Sequence, residues 1–210
     1  MSHAALIASL LVLVALGFVS SLVVGPAALS TTTSLAALFG GDNEAARIVM
    51  QEIRLPRAIL GAMIGATLGL TGAALQGYLR NPLADPGVLG ISAAAAFGAV
   101  LAIYTGASAG WPLALPLAAI AGAGAAVIIL RVLAGRQAGT LTLILAGVAI
   151  SSLAGALTTL TLNLSSNPFA ALEIVYWMLG SLTDRSMQHV WLALPFMLIG
   201  GLFLLTTARA

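Results

Sequence analysis

Cysteine and lysine are absent from this 210-residue sequence, and charged residues make up only 7% of it. Without cysteine there is no disulfide, no thiol catalysis, no thiolate zinc site and no iron–sulfur cluster. A soluble domain carries about 25% charged residues, so a chain this poor in charge is not a water-soluble globule. Hydrophobic residues make up 60% and the mean hydropathy is +1.11, which excludes a disordered chain. The composition is that of an integral membrane protein. The pI of about 9.7 does not signal nucleic acid. It reflects eight arginines against six acids. The arginines are scattered at segment ends, with no basic stripe and interleaved aromatics for a phosphate backbone to follow.

Apart from Arg54 and Arg57, which open the second, the long apolar runs also hold no Asp, Glu, Lys, Arg or His. Ion-coupled transporters and proton pumps place such groups at mid-membrane. If this chain drives transport, the energy enters through another subunit. The parts for intramembrane catalysis are missing too. The two histidines are His3, near the terminus, and His189, at a span end. Gly90-Ile91-Ser92 has no base to activate its serine. The reading is a non-enzyme with no cofactor and no metal site.

Apolar runs lie at about residues 4–24, 54–79, 88–104, 112–130, 141–162 and 190–208. A membrane-spanning helix uses roughly 20 residues, so the fold class is all-α, a polytopic membrane bundle of about six transmembrane helices in one domain over residues 1–210. The first run exceeds a signal peptide's apolar core of roughly 7–15 residues and has no positive leader, so it reads as a retained helix. Residues 25–52 read as a loop, with a turn or short helix over 43–53. Pro56 suits the start of the second span, where its missing N–H costs nothing. Residues 105–111 and 131–140 read as short loops. Within the connection 163–184, residues 173–181 suggest a short embedded helix with Tyr176 and Trp177 at interface depth. With six spans, Arg80, Arg131, Arg136 and Arg209 share the side of the termini and Arg47, Arg54, Arg57 and Arg185 lie opposite, so basic residues give no orientation. Of the six acids, only Asp85 shares the termini's side.

Small and polar residues supply the remaining features. Gly61, Gly65 and Gly69 repeat every four residues, as do Gly147, Ser151 and Gly155. Such stripes allow close helix packing. A second reading is that the small, hydroxyl-bearing face of span five, with Ser152, Thr158 and Thr159, lines a path for a large solute. Gln76, Asn81 and Asp85 suit capping and turn roles around the prolines Pro82 and Pro86. Arg54 and Arg57, three apart at an expected helix start, conflict with the helix dipole. They are interface anchors, or they have an acidic partner, either internal, such as Glu52, or on another protein.

These residues carry a family resemblance. Residues 54–99, RLPRAILGAMIGATLGLTGAALQGYLRNPLADPGVLGISAAAAFGA, resemble the signature of the FecCD family, the membrane permeases of bacterial ABC importers for ferric siderophores, haem and vitamin B12. LILAGVAISSL (143–153) and WMLGSL (177–182) resemble it too. The resemblance implies a multi-pass protein of the bacterial inner membrane with a cytoplasmic N-terminus. It implies contact with membrane lipid and a second permease copy, in a homodimer or heterodimer. Two cytoplasmic ATP-binding subunits would supply energy, and a periplasmic substrate-binding protein would deliver the cargo. Arg54 and Arg57 match the family's RLPR positions, which face the periplasm and pair with acids of the binding protein. Span five, with Gly147, Ser151, Ser152, Gly155, Thr158 and Thr159, would line the translocation path, and the loop before it would sit near the cytoplasmic gate. Gln76, Asn81, Pro82, Asp85 and Pro86 form the family-motif turn.

The family has about ten spans, with a cytoplasmic ATPase-contacting segment after the sixth. This sequence ends at Ala210, ahead of that segment. The expectation is therefore the N-terminal six-span part, truncated or completed by another chain. A stand-alone channel or facilitator and a non-transporting fragment are the alternatives. No residue distinguishes siderophore from haem or cobalamin.

Overall fold

A computed structural model describes residues 2–135 and 139–207. Every regular element among them is helical: α1 His3–Val23, α2 Thr31–Leu38, α3 Glu44–Arg47, a π-helical segment Ile48–Arg54, α4 Leu55–Leu79, a 3-10 turn Pro86–Leu89, α5 Ile91–Tyr104, α6 Ala107–Gly110, α7 Ala114–Ala134, α8 Thr140–Leu164, α9 Pro168–Met178 and α10 Met187–Thr207. This is the all-helical membrane bundle expected. Five helices among the described residues are long and apolar enough to cross a membrane: α1, the continuous helix Glu44–Leu79, α7, α8 and α10. The expected third span, 88–104, is shorter. At 14 residues, α5 rises about 21 Å, less than the ~30 Å hydrocarbon thickness, because Pro86 and the left-handed Gly90 (φ +76°) break the run ahead of it. Arg136, Arg209 and the end of the sixth expected span lie outside the described residues.

The helices form two compact units, divided between Thr71 and Gly72 and again between Ser181 and Leu182. In the first unit, Ser2 starts α1 by accepting from the Ala5 N–H at 3.3 Å. The hydroxyls of Ser9 and Ser20 turn back onto the carbonyls of Leu6 and Gly17, at 2.8 and 3.0 Å. They are thereby satisfied inside an otherwise apolar helix, as lipid requires. Ser30 caps α2, and Asn43 caps α3 by accepting from the Ala46 N–H at 3.0 Å.

Two expectations are corrected here. The loop over 25–52 contains α2, and the helix that carries the second span begins at Glu44, not at Arg54. Helix α3, the π-helical segment and α4 run on as one helix of 36 residues. The Leu55 N–H bonds to the Met50 carbonyl, five residues back. That widened turn precedes Pro56, whose ring has no N–H and collides with the i−4 carbonyl of a regular α-helix. Proline therefore marks a π-bulge inside this helix and not its start. Leu22, Ala37, Ala46, Met50 and Ala58 form the core, at the end of the unit where α1 stops.

In the second unit, α4 ends with Arg80 in the left-handed region (φ 49°). Helices α5 and α7 approach backbone to backbone. A Cβ at Gly98 would collide with the Ala118 carbonyl, and one at Gly122 with the Ala94 carbonyl. Ala126, Leu130, Ala146 and Ile150 form one core, and Val100, Ile103 and Ile174 another. Residues 105–111 contain the short α6. The embedded helix expected over 173–181 instead starts at Pro168, where Asn167 accepts from the Phe169 N–H at 3.0 Å, and stops at Met178.

Candidate functional site

Arg54 closes the π-helical segment and is 6% exposed. Its Nη1 donates to the carbonyls of Leu22 and Val23 at 3.0 and 2.8 Å, and its Nη2 to that of Ala27 at 2.7 Å. The last carbonyls of a helix have no intrahelical partner, and the helix dipole places negative potential there. The guanidinium fork thus caps α1 and ties the following turn to α4. Its partners are carbonyls and not the Glu52 carboxylate. A Cβ at Gly25 would lie 2.8 Å from the Arg54 Nη2, so the glycine makes room for the fork. One turn earlier, the Gln51 Nε2 donates to the carbonyls of Ala37 and Leu38, both at 3.1 Å. It caps α2 in the same way.

Arg57 is exposed. It lines a cleft of about 270 Å³ between α1 and α4, and among the described residues its guanidinium has no hydrogen bond or ion pair. The two arginines that the sequence pairs are thereby separated. Arg54 acts inward on its own chain, and Arg57 is open to a partner. The dipole conflict expected at a helix start does not arise, because both lie within a continuous helix.

The candidate path residues divide between two faces of α8. Gly147 and Thr158 are buried and Ser151 is half-buried, on the face that packs inside the second unit. At Gly147 a Cβ would collide with the Val88 carbonyl, so α8 there rests on the backbone of the 3-10 turn. Ser152, Gly155 and Thr159 are exposed, and a Cβ at Gly155 meets nothing within 4 Å. Their spacing of three and four residues puts them on one open face. The Thr159 Oγ1 donates to the Gly155 carbonyl at 3.0 Å, so its proton stays within the helix and its lone pairs face outward.

Around the motif turn, Gln76 contributes its backbone carbonyl, which accepts from the Asn81 N–H at 3.1 Å. With Arg80 left-handed, this is a Schellman closure. The Asn81 Oδ1 accepts from the Leu83 N–H at 2.9 Å, and the Asp85 Oδ1 from the Gly87 N–H at 2.7 Å. Pro82 is exposed between them, and Pro86 opens the 3-10 turn. Sequence reasoning missed Gln51, Gly25, Gly98 and Gly122. Gln51 and Arg54 act across 13 to 32 residues, which no local motif signals. The α5 and α7 glycines are dispersed in alanine-rich runs.

An all-helical chain with several apolar helices of spanning length and charges gathered at their ends is a multi-pass membrane protein. Residues 11–210 match the FecCD transport family, and the chain belongs to it. It is 40% identical over 81% of its length to the uncharacterised ABC transporter permease protein YvrB of Bacillus subtilis. To the cobalamin import system permease protein BtuC of Halobacterium salinarum it is 38% identical over 80% of its length. To the ferric enterobactin transport system permease protein FepD of Escherichia coli it is 34% identical over its whole length. It spans 49%, 45% and 63% of those three proteins. A solved ABC transporter described as of metal-chelate type, in an inward-facing conformation, superposes with a TM-score of 0.76 at 28% identity, covering 94% of this chain and 59% of that one.

Proposed function

We propose that the chain is membrane-spanning permease machinery of a bacterial ABC importer carrying an iron chelate, haem or cobalamin from periplasm to cytoplasm. It sits in the inner membrane with its N-terminus cytoplasmic. The family match over residues 11–210 carries this reading. Two relatives are permeases of cobalamin import and of ferric enterobactin transport. The apolar runs hold no group for ion coupling, which suits a chain powered by separate ATP-binding subunits. Arg57, exposed and unpaired among the described residues, is the docking contact for acids of a periplasmic binding protein, and Arg54 positions it by fixing the end of α1 against the same helix. Ser152, Gly155 and Thr159 line the path with small, weakly polar surface, and a second permease copy faces them.

The test is assembly. The chain is co-expressed and co-purified with the ATP-binding subunit and the binding protein of such an importer, and ATP hydrolysis is measured with loaded and empty binding protein. Stable association and hydrolysis stimulated by the loaded form are expected. Arg57→Glu should weaken binding-protein association about tenfold or more, as for one close charge pair reversed. Passive flux through liposomes that hold this chain alone would instead support a channel.

A further inference from the structure

We propose that the cleft between α1 and α4 seats one anionic phospholipid, with its phosphate on Arg57 and an acyl chain along the cleft floor. Three observations carry this. The first is depth. Arg57 is the last charge on the long helix, and none follows from Ala58 to Leu79. Those residues rise about 33 Å, close to the ~30 Å hydrocarbon thickness. Arg57 therefore lies at the boundary between headgroup and acyl chain, level with the end of α1.

The second is shape. The cleft of about 270 Å³ is walled by Val14, Gly17 and Phe18 on one side, Gly61 on the other, and Leu182. A Cβ at Gly17 meets nothing within 4 Å, and one at Gly61 meets only the Leu182 Cδ1, at 3.8 Å. These glycines support no close helix contact. Their missing side chains are the open space itself.

The third is charge. Among the described residues, Arg57 alone brings an ionisable group to the cleft lining, and its guanidinium has no partner among them. A planar guanidinium matches phosphate oxygens two at a time. An apolar groove below a cation at headgroup depth fits an amphiphile whose charged end is anionic. The seat stands without the docking reading. Where both hold, a docking carboxylate and the lipid phosphate exclude one another at Arg57.

The experiment uses the 210-residue chain, delipidated in detergent and titrated with phosphatidylglycerol or phosphatidylcholine of equal chain length, with adducts counted by native mass spectrometry. Phosphatidylglycerol should be retained about fivefold or more over phosphatidylcholine. Arg57→Gln and Gly61→Leu should each abolish that preference, and Arg47→Gln, at another exposed arginine, should keep it. Excess inorganic phosphate should not displace the lipid. Gly17→Leu, on the opposite wall, replaces Gly61→Leu if the latter does not fold, as judged by helicity. A preference that survives Arg57→Gln overturns the proposal. So does equal loss in Arg47→Gln, displacement by phosphate, or a dimer of this chain that shuts lipid out. Binding-protein association is measured on the same Arg57→Gln protein. Lost docking with the lipid preference intact overturns the seat alone, and the reverse overturns docking alone.

Discussion

Two arginines three residues apart do opposite work. Arg54 satisfies three carbonyls at the end of α1, and hydrogen bonds to charged groups are each worth about 1.5–3 kcal/mol. Arg54→Gln should therefore lower stability by roughly 3 kcal/mol, since the carbonyls lose a cation and glutamine cannot reproduce the fork. Reversible unfolding in mixed micelles measures this. Arg54→Lys should recover only part, because an ammonium lacks the planar double donor. Arg57→Gln should leave the midpoint unchanged. If Arg57→Gln destabilises the protein as much as Arg54→Gln, the division of roles is wrong. The RLPR motif was legible in the sequence as two cations on one helix. Their separate fates were not, because burial of Arg54 depends on where α1 ends, 32 residues earlier.

Among the elements, glycine spacing separates poorly into packing and openness until the neighbours are known. Gly61, Gly65 and Gly69 form the clearest stripe in the sequence, yet Cβ atoms at Gly65 and Gly69 meet nothing within 4 Å. Gly98 and Gly122, with no such stripe, hold α5 against α7. Gly65→Ala and Gly69→Ala should raise stability slightly, by about 0.5–1 kcal/mol, because the added methyl meets open space and alanine suits a helix interior. Gly98→Val or Gly122→Val should cost about 1–3 kcal/mol or more, because the intruding carbons meet backbone that cannot rotate away. Gly90→Ala should cost at least about 1–2 kcal/mol, from its left-handed φ and from the Ile150 Cβ, 2.8 Å from the added carbon. Thermal midpoints in detergent rank these variants. Long apolar runs were readable because composition alone demands them. Helix starts were less so: Pro56 marks a π-bulge, and Pro86 with Gly90 shortens α5 below spanning length, both through backbone hydrogen-bond geometry that composition does not carry.

For the whole molecule, the low charge of the sequence acquires a meaning. Most exposed large side chains on the long helices are apolar, including Leu11, Leu13 and Val14 of α1 and Phe196, Leu202 and Phe203 of α10. Those faces are made for lipid or for partner helices, and hydroxyls inside the helices, such as those of Ser9, Ser20 and Thr159, bond back to backbone carbonyls. On the proposed import function, apolar runs without a mid-membrane ionisable group suit a chain whose energy comes from separate ATP-binding subunits. The most direct measurement is uptake of labelled cobalamin, ferric siderophore or haem into liposomes that hold this chain with its ATP-binding subunit, with the binding protein outside and ATP inside. The account predicts uptake of one of these cargoes that requires both ATP and the binding protein. Uptake that proceeds equally without ATP, with the chain alone, would contradict it.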